Sequence, residues 1–248
     1  MYWRAETAQL WRDFWQVAKG IALRDEGLTL PDLTAPEALP ADWYDHWLSP
    51  DLLLSQACGL PFRDRLKDRV TYVGTLDFGL GGPEGHYHSV ILLRPGLAVG
   101  DLCKEPVRFA FNSADSQSGW AARLTPGTPS LPFEVSETFE TGAHALSVQA
   151  LAEGRADVAT IDAVSWRIIS RFDPAAAALT VAGTTGPTPG QPMITAKGRD
   201  PAPLRRIIGK ACAAFAPADP MAMGGPMRLA LLPLEAYFSL PLPAPPLN

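Results

Sequence analysis

The chain has 248 residues, which suits one large domain or two modest ones. Hydrophobic residues make up 47% and charged residues 19%, so a packed core is expected and general disorder is excluded. A formal net charge of −5, with no basic cluster interleaved with aromatics, argues against nucleic acid as a partner.

Residues 6–24 form the first predicted helix, with Leu10, Trp11, Phe14, Trp15, Val17, Ala18 and Ile21 recurring at three- and four-residue spacing. Only Met1, Tyr2 and Trp3 precede it, so Tyr2 and Trp3 stand where a strand would hand over to a helix. Aromatics in that place either cover the core or touch a ligand. A proline-rich connection over 28–40 leads to a short predicted helix over 41–48. Residues 51–56 then have the form of a buried parallel strand, apolar at Leu52, Leu53 and Leu54. Its polar end, Ser55 and Gln56, falls where α/β sheets collect ligands. Cys58, in the turn beyond, reads as structural.

Strands over 69–77 and 87–94 flank a glycine-rich loop that fits a hairpin or a crossing between lobes equally well. From Val107 a strand–helix rhythm sets in. It runs through strand 107–112, a helix opening at Ser116, strand 133–138, and helix 143–153 stopped by Gly154. Strand 157–162, helix 163–172 and strand 178–184 continue it, which implies a parallel or mixed sheet with helices on its faces. After a Pro/Gly-rich segment come a short strand over 193–196 and a helix over 201–215. The apolar stretch 228–247 reads as an edge strand and packed tail. Two interruptions, 78–87 and 184–192, bracket the rhythm, as they would if one lobe were inserted into another and closed on a ligand by a hinge.

Cys58, Cys103 and Cys212 are odd in number and lack CxxC spacing, which supports neither a disulfide framework nor a structural zinc site. His86 and His88 share a strand face, but no third ligand joins them at a recognisable spacing, so neither metal nor cofactor is expected. The N-terminus, MYWRAETAQLWRDFW, is amphipathic and acidic, unlike a secretory signal. The expected location is periplasmic if a leader precedes Met1 and cytoplasmic otherwise.

The stretch 109–120, FAFNSADSQSGW, carries the densest chemistry. Ser116, Gln117, Ser118 and Gly119 at a helix start would combine hydroxyl donors, unpaired backbone N–H groups and a glycine that lets a ligand approach closely. The competing reading is an ordinary serine N-cap.

These four residues resemble the Ser-x-Ser-Gly cradle of the phosphate, phosphite and phosphonate binding proteins of ABC transporters, which are type II periplasmic binding proteins. Thr141-Gly142-Ala143-His144, followed by ALAEGRADVA over 150–159, resembles that family's Gly-x-His helix and next strand. Asp162 sits at its strand-end acid, and Tyr87 before Ser89 and Val90 resembles its crossing-strand tyrosine. The similarity spans roughly residues 50 to 215. The chain departs from the family in its shortened first strand and in Gln117, the middle residue of the serine triplet.

The resemblance implies a two-lobed α/β fold, each lobe a mixed sheet flanked by helices, joined by two crossing segments. Lobe 1 would comprise 1–84 and 190–248, and lobe 2 would comprise 85–189. Ser116, Ser118 and the amides of Gln117 and Gly119 would hold anionic oxygens, with His144 and Tyr87 as further donors. Asp162 would accept from a protonated ligand oxygen or a ligand amine. Gln56 would touch the ligand's other end, and Tyr2 is counted with the site. His144 and Asp162 could instead cap their helices, and Trp120 and Trp166 read as packing. The implied protein is a monomer that captures a small anion for an ABC permease or for sensing. The other class on this fold is a cofactor-free enzyme, as in the futalosine-route lyases and thiamine-pyrimidine synthases.

Overall fold

The apolar stripe near the N-terminus folds as helix α1 (Ala8–Glu26) in a computed structural model that describes residues 2–125, 127, 134–244 and 246. Two short helices follow, α2 (Trp43–Trp47) and α3 (Gly59–Arg63), on either side of strand β1 (Ser55–Gln56). Then come β2 (Val70–Asp77), β3 (His86–Tyr87), β4 (Ser89–Leu93), β5 (Val107–Phe111) and β6 (Val135–Glu140). Helix α4 (His144–Ala152), strand β7 (Val158–Asp162) and helix α5 (Ala163–Phe172) complete the predicted rhythm. The remaining elements are β8 (Thr180–Thr184), β9 (Thr188–Pro189), β10 (Pro192–Ala196), α6 (Ala202–Ala214), β11 (Arg228–Ala230) and α7 (Leu234–Phe238).

The strands make two principal sheets flanked by helices, which is the bilobed fold of type II periplasmic binding proteins. One sheet has the order β1-β10-β2-β11, its neighbours antiparallel. On it α1 and α6 bury Phe14, Ala18, Ile21, Leu204, Ile207 and Ala211 against Val73 and Leu76. The other has the order β6-β5-β7-β4-β8 and is mixed, with β5 parallel to β6 and β7 while β4 runs antiparallel to β7 and β8. There α4 and α5 pack Val148, Leu151 and Ile169 against Ala110, Ala159 and Ile161. Its base is tied by Asp157, which accepts from Arg94 at 2.7 Å and from Arg108 at 2.9 Å. Strands β3 and β9 form a separate antiparallel pair, Tyr87 opposite Thr188, where the chain passes from one sheet to the other and back.

Gly154 adopts φ +71 just beyond α4 and stops it as its sequence position predicts. Four elements differ from expectation. The 51–56 strand is neither parallel nor fully buried: it shortens to β1, an edge strand antiparallel to β10. The leucine run signalled burial but carried no information on strand direction. No helix opens at Ser116. Residues 116–120 form turns that lead into a 3₁₀ helix over Ala121–Leu124. Ser116 Oγ accepts from the Gly119 N–H at 3.1 Å, the bond of a serine cap, but the turn it closes continues as 3₁₀ and not as α. Strand β6 begins later than expected, and residue 133 of the expected strand lies outside the described residues. Within the apolar tail, α7 was not anticipated; it buries Tyr237, whose hydroxyl donates to the Gly190 carbonyl at 2.9 Å.

Candidate functional site

Strand ends and turns of the mixed sheet bring the serine triplet, His144 and Asp162 together. Strand β5 delivers the 113–120 turn, α4 begins on His144, and β7 ends on Asp162. Ser118 Oγ lies 2.9 Å from His144 Nε2 and 3.4 Å from Ser116 Oγ. The Ser118 carbonyl accepts from Ser89 Oγ at 3.3 Å and the Gly119 carbonyl from Thr160 Oγ1 at 2.9 Å, so the turn is bolted to β4 and β7. Gly119 is required by space: a Cβ there would stand 2.1 Å from Asn112 Oδ1. Since no α-helix begins here, the helix-dipole contribution expected from the sequence is lost, and the cradle rests on hydroxyls and turn amides.

His144 does not cap its helix. Its Nε2 also receives the Asp162 backbone N–H at 3.5 Å, which favours Nε2 as acceptor and puts the ring proton on Nδ1, a buried atom with no hydrogen-bond partner. Burial lowers the imidazole pKa to about 4, so the ring is neutral. Donation from Nε2 to an anion, as the resemblance implies, requires the other tautomer of this neutral ring.

Asp162 takes the capping role that the sequence offered, and its second oxygen is held by side chains of the protein. One oxygen caps α5, accepting from the Ser165 N–H at 2.6 Å; the other accepts from the Tyr2 hydroxyl at 3.2 Å and from Gln191 Nε2. Burial raises its pKa, with the surrounding donors acting in the opposite direction. Burial and the neighbouring Asp162 raise the Tyr2 pKa well above its ordinary value. Both groups are almost wholly out of solvent, as are Ser116, Gln117, Ser118 and Tyr87.

The other lobe meets this wall at several points. Cys58, read from sequence as structural, accepts the Gln117 N–H on its Sγ at 3.2 Å, and burial raises its thiol pKa. The Tyr44 hydroxyl donates to Asp115 at 3.1 Å. Tyr87, on β3, is buried, and its hydroxyl lies near the Ser118 and Thr188 side chains without a well-formed hydrogen bond to either among the described residues. Gln56, on β1, accepts the Trp47 indole N–H on its carbonyl at 3.3 Å, while its Nε2 is buried without a partner. A cavity of about 440 Å³ opens beside Tyr2 and Gln56, lined also by Trp11, Leu53, Leu76 and Met193. A larger depression of about 680 Å³ between α1 and α6 contains none of the site residues.

Of the sequence-selected residues, Ser116, Ser118, His144, Asp162 and Tyr2 join in one hydrogen-bonded chain. Gln117 gives its backbone N–H to Cys58 and turns its side-chain Nε2 away to Thr125 at 3.1 Å. Gln56 and Tyr87 make no hydrogen bond to that chain. Cys58, Gln191 and Asn112 were not selected. Only Gln191 had a signal, as the long polar side chain in the Pro/Gly-rich segment. Trp120 packs on Phe111 at 5.2 Å and Trp166 against the mixed-sheet core, as their packing reading expected. Among the described residues no three His, Cys, Asp or Glu gather as a metal site, and all three cysteines are free, Cys103 exposed.

The profile of a family described as "ABC transporter, phosphonate, periplasmic substrate-binding protein" matches residues 79–220. No curated protein matches the chain. Among solved structures, a binding protein component of an ABC phosphonate transporter from Pseudomonas aeruginosa is 14% identical. It is covered over 78% of its length by 90% of this chain, with a TM-score of 0.58. PhnD1 from Prochlorococcus marinus, in complex with methylphosphonate, is 12% identical, with 93% of this chain, 90% of that chain and a TM-score of 0.60. A Xanthomonas citri protein bound to ATP is 16% identical, with 93% and 88% coverage and a TM-score of 0.55. At such identities these likenesses establish the fold.

Proposed function

The chain belongs to the periplasmic substrate-binding proteins of phosphonate ABC transporters, and from that premise we propose that it captures a small oxyanion, phosphonate or phosphate-ester-like, in the cleft between its lobes. The lobes in this reading are 1–84 with 190–248, and 85–189, hinged where β3 and β9 pair. A periplasmic location and an ABC permease as the receiving partner are part of the same reading.

The observation that carries it is where the buried polar atoms lack partners. They include the donors Gln56 Nε2 and Tyr87 OH, and the His144 ring nitrogen Nδ1. Buried polar atoms in folded proteins are almost always hydrogen-bonded, and exceptions call for a reason. A ligand whose oxygens accept from Tyr87 and from the serine hydroxyls supplies one. The Gln117 N–H is held by the Cys58 thiol, a weak acceptor. Exchanging sulfur for a phosphonate oxygen would turn a poor hydrogen bond into a charge-assisted one. Because the cradle is buried, ligand entry requires the lobes to part, and closure then encloses the anion.

A second reading rests on the 2.9 Å contact between Ser118 Oγ and His144 Nε2, which has the form of a nucleophile and its base. It lacks the orienting partner such a base needs, since Nδ1 has none. Native mass spectrometry of the purified protein, followed by a thermal-shift screen of phosphonates, phosphate and sulfonates, tests the capture reading. Stoichiometric binding of one of these anions is expected; turnover of a bound ligand would favour the enzyme.

A further inference from the structure

The cradle has no lysine or arginine, and its acid, Asp162, adds a negative charge beside the anion it is read to hold. Hydroxyls and amides can bind oxygens but bring no net charge. A dianion enclosed with an ionised carboxylate would be stabilised by a cation nearby.

Arg63 has the features of one. It is 7% exposed, yet its Nε and Nη1 are buried without a hydrogen-bond partner among the described residues, and Nη2 donates to the Pro241 carbonyl at 3.1 Å. No ion pair of the described residues includes it. The contrast with other arginines is clear. Arg94 and Arg108 share Asp157, while Arg167 gives its donors to the carbonyls of Phe78, Gly79 and Gly224.

Its direction is also fixed. Helix α3 is capped by Cys58, whose sulfur already touches the Gln117 N–H. Gly59 lies one turn before Arg63 and so shares its helix face. A Cβ on Gly59 would stand 3.8 Å from Gln117 Cβ, so that face packs on the segment that carries the serine triplet. Burial lowers the Arg63 pKa, and the groups acting on it in the other direction are Cys58, Tyr87 and Asp64, two of them site neighbours.

We propose that Arg63 is the cation that neutralises the captured anion, reaching from lobe 1 to the oxyanion held by Ser116 and Ser118 in lobe 2. The inference rests on the anion-capture reading above. It makes closure of the lobes depend on ligand charge, since the guanidinium and the cradle come from opposite sides.

The test is calorimetric titration of methylphosphonate into wild type, R63Q and R63K, below and above the ligand's second ionisation, with thermal melts to confirm folding. Removing a charged hydrogen-bond donor should weaken binding by about 10- to 150-fold in R63Q. The affinity gained on forming the dianion should flatten in R63Q and survive in R63K. A residue that only anchors the tail at Pro241 would leave that pH dependence unchanged. Wild-type affinity and slope in R63Q would overturn the assignment, as would equal loss in both variants with an unchanged slope. If R63Q does not fold, R63M replaces it with the same two outcomes. Binding that Ser118→Ala abolishes but R63Q leaves intact sinks only this inference. Wild type that binds no anion sinks the capture reading, and this inference with it.

Discussion

On the lobe 2 wall of the cleft the hydroxyls bond to their own lobe: Ser118 to His144 and Ser116, Ser116 to the Gly119 amide, Thr160 to the Gly119 carbonyl. The lobe 1 wall reaches outward instead. Tyr2 and Gln191 cross to Asp162, Cys58 to Gln117 and Tyr44 to Asp115. The cradle's own bonds lie within one lobe, whereas these cross between the two, as do the bonds of Arg167 to the carbonyls of Phe78, Gly79 and Gly224. Preorganisation on one side and a releasable latch on the other suit a receptor, because the ligand meets a formed site and closure adds the second set of contacts.

The comparison breaks most visibly at Asp162, where both walls meet. Asp162→Ala removes the α5 cap and the acceptor of two latch donors, and should cost about 3 kcal/mol or more in denaturant unfolding. Asp162→Asn, which keeps the shape and one acceptor, should cost less than half as much. Equal, small losses in both would show that the latch contributes little.

Inside the preorganised wall, Gly119→Ala should cost about 1–3 kcal/mol, as overpacking does, because the new methyl meets Asn112 Oδ1. On the latch side, Tyr2→Phe should cost about 1.5 kcal/mol and widen the ligand-free protein in small-angle scattering. An unchanged radius of gyration would place the latch elsewhere.

The smallest expected effect is one of pH. The folded protein keeps His144 neutral down to about pH 4, against an ordinary value of 6.5. Between those values the unfolded chain binds the proton and the folded one does not, so stability falls as pH drops through that window. Asp162, whose pKa is raised, contributes with the opposite sign: its share is present in acid and lost as pH rises. His144→Gln should flatten the upper part of the acid limb in thermal melts, and an identical limb would assign it to other groups.

Much of this was legible in the sequence for physical reasons. Amphipathic spacing located α1 and α6, β-branched runs located β2 and β4, and a run of apolar residues ending in an acid located β7 and its capping Asp162. The residue types drew attention to 116–119, though the turn they form was not legible. A serine cap can open a 3₁₀ turn as well as an α-helix, and no periodicity tells the two apart. The lobe 1 contributions were harder to see. Cys58 and Gln191 bond to partners 59 and 29 residues away, and only the folded chain brings those together. The leucine run at 52–54 announced burial but not that β10 would pair beside it in the antiparallel sense.

The central claim is that the serine cradle of lobe 2 holds the anion. Calorimetric titration of methylphosphonate into wild type and Ser118→Ala addresses it most directly. One site per chain is expected in the wild type, with affinity weakened about 10- to 150-fold in the variant and the melting temperature little changed. Equal affinity in the two proteins would contradict the account.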